Sequence, residues 1–152
     1  MPETKNIGTV VQIVGAVLDI KFSPENLPNL LNAIEIDNNG QKLTVEVAQH
    51  IGDDIVRCIA MGSTDGLVRG AEAVDTGKSI TVPVGQETLG RVFNLLGEAV
   101  DNKPAPEAKE RWEIHRQPPE YEELAASNEV LETGIKVVDL ICPYLKGGKI
   151  GL

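Results

Sequence analysis

Between Thr9 and about Pro83 the apolar residues come in short runs that alternate with polar ones, broken at close spacing by turn residues. This is the pattern of a small antiparallel barrel or sandwich. Ala16, Leu18, Ile20 and Phe22 share one face of a strand, with Asp19 and Lys21 on the other and Gly15 placed for a bulge or sharp bend just before. Ala33 to Ile36 and Lys42 to Val47 flank Asp37-Asn-Asn-Gly40, and Asn-Gly predicts a type I′ hairpin, because that turn needs positive φ at both central positions. A further strand is predicted over Ile55 to Met61, after the turn Gly52-Asp-Asp54. Met61 to Gly66 and Asp75-Thr-Gly77 read as turns, and Ser79 to Val84 closes a set of five or six strands.

After Val84 the pattern changes. Thr88 to Leu96 reads as a short helix, with Thr88 as N-cap and Gly97 as its stop. Asp101 to Glu123 holds Pro104, Pro106, Pro118 and Pro119 among charges with little periodicity, so it is expected to drape over a surface rather than form elements. Thr133-Gly134-Ile135 opens a last helix whose Val137, Leu140 and Ile141 share a face and which Pro143 ends. Lys146-Gly-Gly-Lys149 then reads as a helix-to-strand turn leading into Ile150-Gly-Leu152, the start of a buried strand. Ending on such a strand suggests a piece of a longer polypeptide. The expected domains are residues 1–83, a barrel, and residues 84–152, the incomplete start of a second domain.

The 152 residues are 41% hydrophobic but only 3% aromatic, so the core has to be built from Val, Ile, Leu and Ala, and a base-stacking nucleic-acid surface is disfavoured. Fourteen basic residues against 23 acidic ones leave a net charge of −9. Neither half of the chain is basic, so neither offers a footprint for phosphate backbones or anionic lipid. Met1 to Asn6 lacks the features of a signal or transit peptide. No apolar run approaches the ~20 residues that span a bilayer, so any membrane association is expected to go through other subunits. Cys58 and Cys142 lie among apolar residues and are expected to be reduced, largely buried thiols that pack as small hydrophobes.

Few residues offer chemistry. A phosphate loop needs a strand, then G-x-x-x-x-G-K-[ST], so that backbone N–H groups grip phosphate and a hydroxyl reaches magnesium; in Lys146-Gly147-Gly148-Lys149-Ile150 an isoleucine holds the hydroxyl position. Gly147-Gly148 also lacks the third glycine of a dinucleotide fingerprint, and Gly62 to Gly70 has no helix after it and reads as a barrel turn. His50 and His115 are isolated, and Glu120, Glu122 and Glu123 form a charged, solvated run rather than an acid–base pair. Trp112 reads as a half-buried anchor for the extended segment. Catalytic, cofactor-binding and metal residues are each expected to be none within residues 1–152.

Several strings, taken together, resemble the catalytic beta subunits of the F-type rotary ATP synthases over essentially the whole chain. They are Gly8-Thr-Val-Val-Gln-Ile-Val-Gly-Ala-Val-Leu-Asp19, Ile59-Ala-Met-Gly-Ser-Thr-Asp-Gly-Leu67, Pro83-Val-Gly, Leu89-Gly-Arg-Val-Phe-Asn-Leu-Leu-Gly-Glu98, Glu113-Ile-His-Arg116, Tyr121-Glu-Glu-Leu124 and Glu132-Thr-Gly-Ile-Lys-Val-Val-Asp139. Ala99 stands where the family usually has proline. Val137-Val-Asp-Leu140 and Lys146-Gly-Gly-Lys-Ile-Gly-Leu152 resemble beta rather than the sister alpha subunit, which typically continues with an Ala-Ile-Asp-Ala pattern.

The resemblance implies an all-β small closed barrel of about six strands followed by the first part of an α/β P-loop-type nucleotide-binding domain. The phosphate loop is then expected just after Leu152. It implies ATP synthesis from ADP and phosphate, reversible hydrolysis, and ATP, ADP and Mg2+ as ligands of the full-length subunit, with none for this segment. It also implies alpha subunits in an alternating alpha3beta3 ring and the central rotor stalk as partners, no nucleic acid, and a peripheral place on the cytoplasmic side of a bacterial inner membrane. The competing reading is a free-standing β-barrel interaction module without ATPase activity.

Overall fold

The computed structural model describes residues 6–124 and 129–151; Met1 to Lys5, read above for targeting signals, and Leu152 lie outside them. The chain divides into two compact units, residues 1–116 and 117–152. Six strands of the first unit close a barrel: β1 (Asn6–Val14), β2 (Val17–Lys21), β3 (Asn32–Asn38), β4 (Gln41–Gly52), β5 (Ile55–Ala60) and β6 (Glu72–Ser79). Their order around the barrel is β1-β2-β5-β4-β3-β6, every pair antiparallel. Closure leaves no edge strand to be covered.

The alternation read in the sequence is the alternation of the barrel wall. Leu18, Ile20, Phe22, Ile34, Ile36, Leu43, Val45, Val47, Val56 and Cys58 meet inside it with Val10 and Ala73, a core of aliphatic side chains with a single aromatic ring. Asn39 and Gly40 both have positive φ and join β3 to β4 as the Asn-Gly signal requires. Gly15, also at positive φ, sits in the two-residue β1–β2 turn between the paired Val14 and Val17. The β1 bulge lies earlier, between Val10 and Gln12.

Three expectations change. The sixth barrel strand is Glu72–Ser79, running through the expected Asp75-Thr-Gly77 turn. Asp75 accepts hydrogen bonds from Asn6 Nδ2, Asn32 Nδ2 and the Gly77 backbone N–H. Its carboxylate thereby turns a turn-like sequence into a register shift within a strand, opposite Asn32 and Ile34. Second, Asp19 is buried rather than solvated. Third, Thr88–Leu96 is not a helix. A 3-10 turn covers Gln86–Thr88, Gly90 takes positive φ, and the Asn94 side chain accepts the N–H groups of Leu96 and Glu98. Local side-chain bonding of this kind competes directly with helix formation.

Beyond the barrel strands, β7 (Thr81–Val84) pairs with β8 (Glu110–Glu113) in a two-stranded sheet, from a stretch of the proline-rich segment that was expected to lack elements. The second unit holds a 3-10 turn at Tyr121–Glu123, the helix α1 (Lys136–Ile141), and β9 (Val130–Leu131) paired with β10 (Tyr144–Leu145). The helix ends before Pro143 as read. Lys146-Gly-Gly-Lys149 follows the short strand β10 rather than a helix, and Ile150 is partly exposed with no strand around it. The described residues after the barrel thus show short strands and one short helix, and no P-loop domain.

Candidate functional site

The residues singled out in the sequence are held by local contacts and are not brought together. His50 Nε2 lies 2.8 Å from the Pro28 carbonyl oxygen, tying the end of β4 to the buried proline of the β2–β3 connection. His115 Nε2 lies 2.8 Å from Glu46 Oε2 on β4, which fastens the segment after β8 to the barrel wall. Trp112 is half exposed, with the Arg116 guanidinium 3.6 Å over its ring, a cation–π pair. In the second unit Glu120 and Glu123 form a reciprocal capping box around the 3-10 turn, so these carboxylates have a structural task. Among the described residues no group of three or more His, Cys, Asp or Glu could hold a metal ion.

The stretch Lys146 to Ile150 does not fit a nucleotide phosphate. Lys146 N–H donates to the Glu129 carbonyl and Gly148 N–H to the Leu145 carbonyl, while Lys146 Nζ pairs with Glu129 at 2.6 Å. Two of the backbone donors and one ammonium of the stretch are thus engaged, and Ile150 supplies no hydroxyl for magnesium.

The two thiols differ. Cys58 is fully buried, and burial, with the nearby Asp19 charge adding to it, pushes the thiol up to about 12. Cys142 is exposed rather than buried, because the short helix before it has nothing to bury its apolar side against within its unit.

Two arginine–carboxylate pairs are not legible in the pattern of the sequence. Arg57 on β5 grips Asp19 on β2 through Nε and Nη2 at 2.8 and 2.9 Å, directly across the strand pair. That hydrogen bonding holds the Asp19 carboxyl below its ordinary range, against the opposing effect of burial. Arg91 makes the same two-pronged contact with Asp101 and also donates to the Pro104 carbonyl, fixing the loop between β7 and β8 and lowering the Asp101 carboxyl. Arg111 donates to both the hydroxyl and the carbonyl of Thr81 across the β7–β8 pair. In the second unit Asp139 accepts from Thr133 N–H, Thr133 Oγ1 and Gly134 N–H. Those bonds, that from the Thr133 hydroxyl foremost, lower its carboxyl.

A cleft of about 690 Å³ lies in the first unit between the β3–β4–β6 wall and the β7–β8 region, with Thr76, Ser79, Thr81 and Arg111 among its lining residues. Its lining carries hydroxyls, cations and the carboxylates of Glu35 and Glu98. The contacts of these residues are structural. Residues 10–77, from within β1 to the register shift of β6, match the model of the ATP synthase alpha/beta family, beta-barrel domain, and the closed six-stranded barrel is similar to that family's N-terminal barrel.

Proposed function

We propose that this chain is the N-terminal part of the catalytic beta subunit of a proton-translocating F-type ATP synthase. In this reading it supplies the subunit's barrel and takes no part in the chemistry itself. The observation that carries the reading is the closed barrel over residues that match the ATP synthase alpha/beta barrel domain. Support for beta over alpha comes from Val137-Val-Asp-Leu140 and Lys146-Gly-Gly-Lys-Ile-Gly-Leu152. ATP or ADP with Mg2+ would be bound by the nucleotide domain of the full-length subunit. The partners would be alpha subunits in an alternating ring and the central rotor stalk, on the cytoplasmic side of a bacterial inner membrane, reached through other subunits. Among the described residues no helix is long and apolar enough to cross a membrane.

A free-standing interaction module is favoured by one observation: the barrel closes and fills its own core without help from the second unit. The reading frame past the Leu152 codon separates the two. Glycine-rich residues ending in Gly-Lys-Thr support the beta subunit, whereas an immediate stop codon removes the enzyme reading and leaves the module. In either case the 152-residue chain is expected not to hydrolyse ATP, and hydrolysis by the purified chain would contradict its structural role.

A further inference from the structure

The cleft of about 690 Å³ in the first unit is lined by four cationic side chains, Lys42, Lys78, Lys103 and Arg111, against two carboxylates, Glu35 and Glu98. An excess of positive charge in one concavity stands out on a chain of net charge −9. Part of that charge is committed. Lys42 pairs with Glu35 at 2.7 Å, and Arg111 is held by Thr81 through Nε and Nη2, which fixes its plane while leaving guanidinium hydrogens to spare. The ammonium groups of Lys78 and Lys103 have no ion-pair partner among the described residues. Each follows a residue at positive φ, Gly77 within β6 and Asn102 in the loop after β7, so two separate segments bring these ammonium groups to the same cleft. Ser79 lines it too, and its Oγ is buried with no hydrogen-bond partner, although buried hydroxyls are normally satisfied.

We propose that this cleft binds a small phosphate-bearing anion with at least two negative charges. The volume falls in the range of small-molecule sites. A rigidly held guanidinium with two mobile ammonium groups suits phosphoryl oxygens, which accept several charge-assisted hydrogen bonds from different directions. Every residue in the cleft belongs to the first unit.

The test titrates inorganic pyrophosphate into the full 152-residue chain while recording amide 1H–15N spectra at low and at physiological salt. Saturable shifts confined to Lys78, Ser79, Thr81, Gly97 and Lys103 are expected, weakening with salt. The double variant Lys78→Glu/Lys103→Glu should weaken binding by at least about tenfold, whereas the charge-matched Lys21→Glu/Lys109→Glu, outside the cleft, should change it less than about twofold. Both pairs are exposed, so the fold is not at risk. Ser79→Ala is expected to weaken pyrophosphate binding while leaving thermal stability unchanged. No saturable shift up to about 10 mM pyrophosphate, shifts scattered over all surface lysines, or equal weakening by both double variants would each overturn the proposal. An equal response to a hexaglutamate peptide would overturn the assignment to phosphate.

Discussion

The barrel and the second unit are apolar to a similar fraction and do opposite things with those residues. In the barrel, Leu18, Ile20, Ile34, Val45 and Val56 are wholly removed from solvent. In the second unit no described residue is buried, and Val137, Leu140 and Ile141 are 61, 84 and 74% exposed. The difference is closure. Six strands paired on both sides enclose a volume, whereas a two-residue ladder and a six-residue helix have no second layer to pack on. Isolated elements of that length are marginal by themselves. Periodicity in a sequence therefore marks which face needs covering, not whether this chain supplies the cover.

The largest contrast should appear in thiol labelling. At pH 8 a thiol pushed up to about 12 is ionised in about one molecule in ten thousand, and Cys58 is also sealed in the core, while Cys142 is exposed. One thiol per chain should react with a disulfide reagent within minutes, and the second only as the barrel unfolds. Two fast thiols would mean that the barrel core opens readily, and the comparison would fail. Core truncation comes next. Ile34→Ala or Leu18→Ala should each cost about 2–5 kcal/mol in urea unfolding followed by circular dichroism. Leu140→Ala on the exposed helix face should cost less than about 0.5 kcal/mol.

Features set within a few residues are legible in the sequence. Asn39-Gly40 needs only its own φ values, and Leu43, Val45 and Val47 needed only period two. Other features depend on particular side-chain partners, several of them far along the chain. Asp19 looks like an outward polar residue until Arg57, 38 positions later, is brought beside it. Asp75 reads as a turn former until Asn32 and Asn6 close on its carboxylate. The Thr88–Leu96 stretch has helical spacing, but Gly90 and the Asn94 side chain divert the backbone. Cys142 has apolar neighbours in the chain but no core around it. The cleft was not legible at all, since its cations come from β4, β6, the loop after β7, and β8.

Glycines sharpen the comparison at smaller cost. A Cβ on Gly8 would stand 2.7 Å from Phe22 Cζ and 2.8 Å from the Lys21 carbonyl oxygen, inside the packed wall, so Gly8→Ala should destabilise the barrel by about 1–3 kcal/mol. Gly40 has open space around it but a φ of +85, so Gly40→Ala should cost about 1–2 kcal/mol through the turn alone. Gly147 has the same kind of positive φ and the same open surroundings. Its alanine variant should leave the main unfolding transition within about 0.5 kcal/mol of wild type, because the turn it strains belongs to the unit without a core. A Gly147→Ala effect equal to that of Gly40→Ala would show that the two units unfold as one.

The smallest expected effect is in acid, where each unit has a carboxylate held below the ordinary value of 3.8: Asp19 by Arg57 and Asp139 by Thr133. A carboxyl whose folded-state value lies below its unfolded value contributes stability that is complete above the unfolded value. That contribution is lost as pH falls from about 5 through 3.8 toward the folded value. In the barrel this loss should register in the global transition, because Asp19 bridges β2 to β5 within the closed sheet. The Asp19→Asn variant should therefore be less stable than wild type at pH 7, and the gap should narrow as pH falls below about 4. In the second unit Asp139 secures only the entry to a six-residue helix. Asp139→Asn should leave the barrel transition unmoved at every pH and change only the amide signals of residues 133 to 142. A barrel midpoint that shifted with Asp139→Asn would place the two units in a single cooperative structure, and the exposed helix face would then have to be counted as part of the barrel's own stability.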